Sequence, residues 1–194
     1  MTQGRKAASK RKTAYHHGDL RAALISAATK EVDGNGHESV SLSELARLLG
    51  VSQPACYRHF AGRDALLVSV ATETFKEFKN ALRSESGLER TGSLDLRKMA
   101  HAYVSFGRAH AGLYRLMFDS RLLGSEPPDS ELLNAAWDAF ALLLSATNPK
   151  IPDRLAAMRI WSGLHGIVML LHAGLLQNEN NGISLNDLID SVLA

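Results

Sequence analysis

The chain has 194 residues, enough for one domain or two small ones, and its 22 Lys and Arg residues against 20 Asp and Glu residues give a net charge of +2 at neutral pH. This balance excludes a wholly basic, histone-like protein, and a hydrophobic content of 45% excludes a chain too polar to fold. Cys56 is the only cysteine, which excludes an internal disulfide framework and a zinc site built from cysteines.

The positive charge is concentrated at the N-terminus. Residues 1–12 contain no acidic residue and five basic ones, namely Arg5, Lys6, Lys10, Arg11 and Lys12. A basic arm on a slightly acidic body favours a polyanion partner, although a solubilising tail has the same composition. We expect residues 1–14 to form a flexible arm.

Neither end of the chain suggests a membrane or export. The basic arm is not followed by the apolar run of a secretory signal. The uncharged stretch from Ile160 to Asn178 includes two histidines and three glycines, and its strongly apolar part is shorter than the ~20 residues that cross a bilayer. We therefore expect a buried helix there, and a cytoplasmic protein.

Apolar residues recur at helical spacing along the whole chain, which predicts an all-α protein of about nine helices. The first begins near Leu20 and is stopped by the Asp-Gly-Asn-Gly run at residues 33–36. The second runs to about Leu48, and the spacing of Ser41 and Glu44 predicts a capping box at its start.

The third helix is expected to begin at Ser52, a favourable N-cap residue, and to end at Gly62. A connecting helix then covers residues 63–83. The polar, Gly- and Ser-rich stretch at 84–93 predicts a domain boundary. Beyond it we expect helices at about 94–109, 111–119, 130–146, 152–176 and 184–193, with a break from Gly124 to Asp129.

The stretch from Leu42 to Phe60 has the pattern of a helix-turn-helix. Ala46 is small where the two helices approach, Gly50 can adopt the unusual backbone angles of the turn, and Cys56 falls on the inward face. Cys56 is expected to be a core side chain rather than a redox sensor. An ordinary helical hairpin has a similar pattern. The residues expected to point outward are Gln53, Ala55, Tyr57, Arg58 and His59.

These outward residues carry the chemistry of base and phosphate recognition. Gln53 is suited to adenine edges and Ala55 to the thymine methyl, while Arg58 and Arg63 are suited to phosphate. Tyr57 and His59 could also bind phosphate, although packing or helix capping would explain them equally well. The helix-start residues Ser41, Ser43, Ser52 and Pro54 complete the candidate DNA-binding set.

The run from Val51 to Phe60, Val-Ser-Gln-Pro-Ala-Cys-Tyr-Arg-His-Phe, resembles the recognition helix of the TetR (tetracycline-repressor) family. Residues 63–67 resemble the family's usual start of helix four. The combination of Trp161, His165 and Gly166 resembles a subgroup with a Trp-His-Gly C-terminal domain. The resemblance implies a DNA-binding domain at 15–62, an effector-binding and dimerisation domain at 94–194, and a homodimer on a palindromic operator.

Seven of the 12 aromatic residues follow residue 100, and such side chains suit a mostly apolar ligand site or a plain core. The effector candidates are Tyr103, Phe106, Tyr114, Phe118, Trp137, Phe140, Trp161, His165 and Met169. His165 and His172 lie seven residues apart, but no third residue completes a metal site. We expect no metal and no cofactor.

The last two helices are apolar on two sides, which predicts burial on two sides. One side is expected to pack against a second copy in a four-helix interface. The candidate interface residues are Leu164, Val168, Leu171, Leu175, Leu185, Leu188, Ile189 and Val192.

The sequence therefore favours a ligand-responsive transcriptional regulator, most simply a repressor released by a small, mostly apolar effector. A regulator that acts without an effector, or an activator, is the first alternative. It predicts a C-terminal half filled by its own side chains. An all-helical enzyme is a remote alternative, because no catalytic motif stands out. We therefore predict that the protein is not an enzyme.

Overall fold

The structure, a computed structural model, describes residues 20–88, 93–147, 153–176 and 182–194. Within these ranges the chain is helical and contains no β-strand. The helices are α1 (Leu20–Asn35), α2 (Leu42–Leu49), α3 (Gln53–Tyr57), α4 (Arg63–Glu85), α5 (Leu96–Ala109), α6 (Ala111–Phe118), α7 (Leu122–Ser125), α8 (Glu131–Thr147), α9 (Arg154–His172) and α10 (Leu185–Leu193), with a 3-10 turn at His37–Ser39. The predicted basic arm, with Arg5, Lys6, Lys10, Arg11 and Lys12, lies outside the described residues.

All nine predicted helices occur, and α7 is an addition. The expected break at 124–129 begins with one helical turn, Leu122–Ser125, before the two prolines end it. Helix α9 ends at His172, earlier than predicted, because Gly174 adopts a left-handed conformation (φ 76°) directly after it.

The first three helices pack around a shared stripe. Leu20, Leu24, Ala28 and Val32 are spaced by four residues and form the buried face of α1.

The predicted capping box at the start of α2 is wrong: the Ser41 side chain makes no capping bond. The Glu44 carboxylate instead accepts from the Arg47 guanidinium at 2.6 Å. Ser52 is the N-cap of α3, but its side chain also makes no capping bond.

Helix α4 contacts helices in both the N-terminal and the C-terminal parts of the molecule. Its first half packs against α1, and its second half packs against α5 and α8. The side chains of Leu66, Val70, Phe75 and Phe78 are all buried along it. Two ion pairs join α4 to α8 at the surface, Lys76 with Glu131 and Lys79 with Asp138, each at 2.7 Å.

Helix α6 joins the N-terminal helices to the C-terminal ones. It packs against α1 and α4. Gly112 at its second position lies against the backbone of Val32 and Asp33 in the last turns of α1. The His110 imidazole pairs with the Asp33 carboxylate at 3.0 Å beside this contact. The hydrophobic core runs through both halves of the chain.

Helix α9 is the one described helix that is long and apolar enough to cross a membrane. It carries Arg154 and Arg159, and it buries Ile160, Leu164 and Val168. The buried face contacts α5, α8 and α10. Helix α9 is buried over part of its surface only, with Leu155, Met158 and Leu170 exposed, so the expectation of a buried helix holds in part.

Candidate nucleic-acid interface and ligand cavity

Helices α2 and α3 form the predicted helix-turn-helix. Gly50 takes left-handed backbone angles at the turn (φ 68°, ψ 28°). Cys56 is fully buried on the inner side of α3, and burial raises the pKa of its thiol. Its position is that of a core side chain, as predicted.

The outer side of α3 presents polar groups to solvent. The side chains of Tyr57, Arg58 and His59 are exposed, with Tyr57 at 50%. The expectation that Ala55 points outward is wrong, because it is only 7% exposed. The helix is a single turn of five residues, so Ala55 lies beside Cys56 against the core.

Gln53 is oriented by a hydrogen bond across the motif. Its side-chain Nε2 donates to the Ser43 Oγ at 2.7 Å, and both residues are exposed. This bond joins the start of α3 to α2 and fixes the direction of the Gln53 amide. Ser52 and Pro54 are exposed beside it, while Ser41 is half-buried.

Arg63, which the sequence predicts as a phosphate contact, makes hydrogen bonds within the chain. Its Nε donates to the Val40 carbonyl oxygen at 3.1 Å, and its Nη2 donates to the His37 carbonyl oxygen at 2.5 Å. These bonds fix the first residue of α4 to the connection between α1 and α2. A third hydrogen bond joins its Nη1 to the Asp64 carboxylate at 3.3 Å, and the side chain is 38% exposed. The phosphate contact of Arg63 stays a prediction.

A cavity of about 200 Å³ lies between α4, α5, α8 and α9. Five of the predicted effector residues line it: Tyr103, Phe118, Trp137, Phe140 and Trp161. The other four, Phe106, Tyr114, His165 and Met169, pack around the cavity without lining it. Sequence reasoning missed Phe75, Phe78, Leu82, Met99 and Met158, which also line the wall.

The wall is built largely of aromatic rings in edge-to-face contact. The ring centroids of Phe78 and Tyr103 are 5.1 Å apart, and those of Phe140 and Trp161 are 6.0 Å apart. Trp137 packs on Phe140 at 5.9 Å. Trp137 is 59% exposed, so the cavity reaches the surface beside α8. Every described lining residue is uncharged at neutral pH.

One hydroxyl of the wall begins a buried polar chain. The Tyr103 and Tyr114 hydroxyls are hydrogen-bonded at 2.9 Å, and the Tyr114 hydroxyl is hydrogen-bonded to the His165 Nδ1 at 2.7 Å. Burial raises the pKa of both tyrosines and lowers the pKa of His165. Asp119 partly offsets the shift of His165. The hydroxyls are therefore protonated and the imidazole is neutral at pH 7.

The two C-terminal histidines have separate partners. His165 stacks on Tyr114 with centroids 5.5 Å apart. The His172 Nε2 is hydrogen-bonded to the Gly107 carbonyl oxygen at 2.8 Å. No group of three metal-ligating side chains occurs among the residues that the structure describes.

Three residues predicted for the dimer interface belong to the core of their own chain. Leu164, Val168 and Ile189 are each at most 1% exposed. Ile160 and Ile167, on the other apolar side of α9, are buried as well, so both apolar sides contribute to the core of the chain. Leu175 is 70% exposed, and the remaining candidates, Leu171, Leu185, Leu188 and Val192, are half-buried.

The free face of α9 presents apolar and small residues together with the exposed Arg159. Leu155 is 80% exposed and Leu170 is 43% exposed. Gly166 lies between them, and a Cβ there would meet nothing within 4 Å. Ser162, one turn before Gly166, is also exposed.

Two protein families match this chain, one in its N-terminal part and one in its C-terminal part. The family described as bacterial regulatory proteins, tetR family, matches residues 24–70. The family described as tetracyclin repressor-like, C-terminal domain, matches residues 96–193. The first range contains the helix-turn-helix, and the second contains most of the cavity wall.

Individual relatives agree with this division. An uncharacterized HTH-type transcriptional regulator of Mycobacterium tuberculosis is 26% identical over 171 residues, which cover 87% of this chain and 78% of that protein. The solved structure of a protein of unknown function from Rhodococcus sp. RHA1 is 28% identical with a TM-score of 0.76, covering 94% of this chain and 95% of that one. The fatty acid degradation regulator FadR from Bacillus halodurans shares the fold at 18% identity, with a TM-score of 0.63 and coverage of 91% and 93%.

Proposed function

The chain belongs to the TetR family of bacterial regulatory proteins, and from that premise we propose that it is a transcriptional repressor released by a small apolar effector. It binds a palindromic operator as a homodimer. The observation that carries the effector part is the aromatic cavity, which shares α4 with the DNA-binding half.

The exposed face of α3 supports the DNA part. In a helix-turn-helix, the second helix enters the major groove and its outward side chains meet base edges and phosphates. Tyr57, Arg58 and His59 are the exposed groups there, and Gln53 is held beside them by Ser43. We propose that Gln53 reads bases and that Arg58 and Tyr57 bind phosphate.

The basic arm supplies affinity rather than selectivity in this proposal. Residues 1–12 carry +5, whereas the rest of the first 80 residues hold seven basic and eight acidic side chains, or −1. Contacts between lysine or arginine and phosphate release counterions whatever the sequence of the DNA. Flanking phosphates or the minor groove are the sites within reach of such an arm.

Helix α4 offers a physical route between effector and operator. Its first residue, Arg63, is bonded to the backbone at His37 and Val40, while Phe75 and Phe78 line the cavity 12 and 15 residues further on. A ligand that binds better to one tilt of α4 shifts the population toward that tilt. The recognition helices then lose the spacing of ~34–36 Å that adjacent major grooves require.

The free face of α9 supports the homodimer. Exposed Leu155 and Leu170 flank Ser162 and Gly166, whose small side chains permit close approach of a second α9. Closed dimers with two-fold symmetry are the commonest oligomers, and a palindromic operator mirrors that symmetry. We propose the cytoplasm, where the DNA of a bacterium lies, as its location.

The alternative of a regulator without an effector fits the structure less well, because it predicts a C-terminal half filled by its own side chains. The cavity bordered by Trp137, Phe140 and Trp161 argues against it. We assign the protein no catalytic role, in keeping with its family.

The proposal is tested with operator DNA selected from a random library by the wild-type protein. We expect Tyr57→Ala and Arg58→Ala each to lower the affinity of the protein for this DNA at least ~100-fold, since each removes an exposed side chain at the recognition helix. Fluorescence anisotropy measures the affinity. Arg108→Ala, on the exposed side of α5, is the matched control and is expected to bind as wild type. Unchanged affinity of a folded Tyr57→Ala and Arg58→Ala pair would overturn the assignment.

A further inference from the structure

The polar chain behind the cavity wall ends in a single accessible hydroxyl. Tyr103 lines the cavity, whereas Tyr114 and His165 lie behind it. Tyr103 is 3% exposed and Tyr114 is fully buried. The Trp161 indole N–H, which can only donate, is hydrogen-bonded to the Tyr103 oxygen, and Trp161 also lines the cavity. These three residues come from α5, α6 and α9, so the chain also joins three helices.

The number of protons in this chain limits its hydrogen bonds to two orders. Each tyrosine hydroxyl has one proton to donate, and a neutral imidazole has one N–H on either Nδ1 or Nε2. If His165 carries its proton on Nε2, Tyr103 donates to Tyr114 and Tyr114 donates to His165. The Tyr103 oxygen then offers the cavity only a lone pair.

The second order runs in the opposite direction. If His165 carries its proton on Nδ1, His165 donates to Tyr114 and Tyr114 donates to Tyr103. The Tyr103 proton is then free to point into the cavity. Both internal bonds, at 2.9 Å and 2.7 Å, are kept in either order.

The charge of the wall restricts the ligand. The described lining residues carry no formal charge at neutral pH, and a charged group taken out of water without a partner is strongly disfavoured. The volume of about 200 Å³ is somewhat larger than a dry cavity of ~150 Å³ that binds benzene. The space therefore suits one aromatic ring with a short chain.

We propose that the cavity binds an uncharged, largely hydrocarbon ligand bearing one carbonyl group, and that Tyr103 donates to this carbonyl with the proton order His165 to Tyr114 to Tyr103. The proposal rests on the proposed function, whose effector it describes. Tyr103 is the residue that distinguishes a ketone from a hydrocarbon of the same shape. His165 is a positioning residue, since it acts through Tyr114.

Three compounds of similar size serve as probes: butylbenzene, 4-phenylbutan-2-one and 3-phenylpropanoate. Both tryptophans of the chain, Trp137 and Trp161, line the cavity, so their fluorescence reports occupancy without DNA. The ketone is expected to bind about 3- to 10-fold more tightly than the hydrocarbon, the gain of one net hydrogen bond. The carboxylate is expected to bind at least ~100-fold more weakly than the ketone. Tightest binding of the carboxylate would overturn the proposal.

Tyr103→Phe keeps the ring and removes the hydroxyl. It is expected to bind butylbenzene as wild type does and to lose the preference for the ketone. The hydrocarbon is thus the internal control for folding and for the shape of the cavity. A ketone preference that survives in Tyr103→Phe shows that another group recognises the carbonyl, and overturns the role of Tyr103.

The proton order has its own readout. In ¹⁵N spectra of histidine-labelled protein saturated with the ketone at pH 7.5, the His165 proton is expected on Nδ1; His165→Gln identifies the signal. A ketone complex with the proton on Nε2 would contradict the proposed order. Tyr114→Phe breaks the link, and it is expected to keep the ketone preference while making the tautomer of His165 insensitive to the ligand.

These measurements contain no DNA, so they fail independently of the proposed function. Loss of operator binding in Tyr57→Ala leaves the ketone preference unaffected. Conversely, the cavity could show no preference for the ketone while a ligand of another class dissociates the operator complex. That result would support the proposed repressor function and overturn this inference.

Discussion

Gly112 in α6 lies so close to the carbonyl oxygen of Val32 that a Cβ at position 112 would overlap it, and the same Cβ would come within 2.9 Å of the Asp33 carbonyl oxygen. Both opposing atoms belong to the backbone of α1, which cannot rotate away as a side chain does. We expect Gly112→Ala to lower the free energy of unfolding by about 1–3 kcal/mol, the cost of overpacking. Urea denaturation measures it.

Gly124→Ala is the matched control for this substitution, since a Cβ at position 124 would meet nothing within 4 Å. We expect its stability to equal that of the wild type within about 0.5 kcal/mol. Equal stability of both variants would show that α6 and α1 separate without cost.

The two hydrogen bonds of Arg63 predict a structural effect of its replacement. Arg63→Ala leaves the carbonyl oxygens of His37 and Val40 without these donors, and we expect a loss of about 1–3 kcal/mol in the free energy of unfolding. Arg63→Lys is not expected to restore it, because an ammonium group lacks the planar fork. Arg83→Ala, at the exposed far end of α4, serves as control. A stable Arg63→Ala that binds DNA more weakly would instead support the phosphate contact.

Gly166 tests the proposed dimer face. Because a Cβ at this position meets open space within the subunit, Gly166→Glu should leave the fold intact while placing a charge between the two α9 helices. We expect a monomer in light scattering at micromolar concentration, with unchanged helical circular dichroism. Ser105→Glu, on the exposed side of α5, is expected to remain a dimer. A dimeric Gly166→Glu protein would place the interface elsewhere.

Removal of the arm charge tests the salt dependence of DNA binding. Replacing Arg5, Lys6, Lys10, Arg11 and Lys12 with Gln keeps the length of the arm and removes five positive charges. The slope of log affinity against log salt is expected to fall by roughly 0.9 for each phosphate that the arm no longer neutralises. An unaltered slope would mean that the arm does not bind phosphate.

His165 predicts a pH dependence of stability. Burial lowers its pKa in the folded state below 6.5, so the unfolded state binds more protons just below pH 6.5. Its contribution to stability is therefore present above pH 6.5 and is lost as the pH falls below that value. We expect the free energy of unfolding to decrease as the pH falls below 6.5.

His165→Gln keeps a polar partner for Tyr114 but does not titrate, so this variant should show a flatter profile over the same range. The comparison of the two pH profiles is not affected by Asp95 and Glu131. Hydrogen bonds with Lys98 and Lys76, respectively, lower the pKa of these carboxyls. Their contributions are lost only in more acidic solution. Equal slopes in the two proteins would assign the effect to other groups.

Apolar spacing was sufficient to predict nine helices, because each buries one stripe against the core. The helix caps were less predictable. A capping box was expected at Ser41, where Glu44 instead pairs with Arg47, and it occurs at Ser184 and Asp187, where no arginine follows. Whether the acidic side chain caps the helix or pairs with a nearby arginine depends on competition among exposed side chains. The spacing of residues in the sequence does not show which interaction forms.

The site was predictable where residue type matched position. The exposed side chains of α3 follow from the helix-turn-helix pattern, whereas Ala55 does not, because its inward or outward position depends on the packing of a single turn. The sequence pattern does not identify the cavity residues of α4, such as Phe75 and Phe78, because it predicts α4 only as a connecting helix. Leu164 and Val168 of α9 are buried in their own chain rather than free for a partner, because apolar spacing in a sequence does not distinguish an intrachain contact from one between subunits.

The side chains proposed to read the operator and the side chains of the cavity wall have no residue in common among those described. Both sets are adjacent to or part of α4. Substitutions can therefore change the DNA specificity and leave the ligand specificity intact. After gene duplication, a few substitutions between Gln53 and His59 would direct the same ligand response to a new promoter. Chimaeric sensors follow the same logic. Exchanging residues 20–62 between relatives should transfer the promoter choice, provided that the retained part keeps Arg63 and Gly112, which contact backbone atoms within the exchanged range.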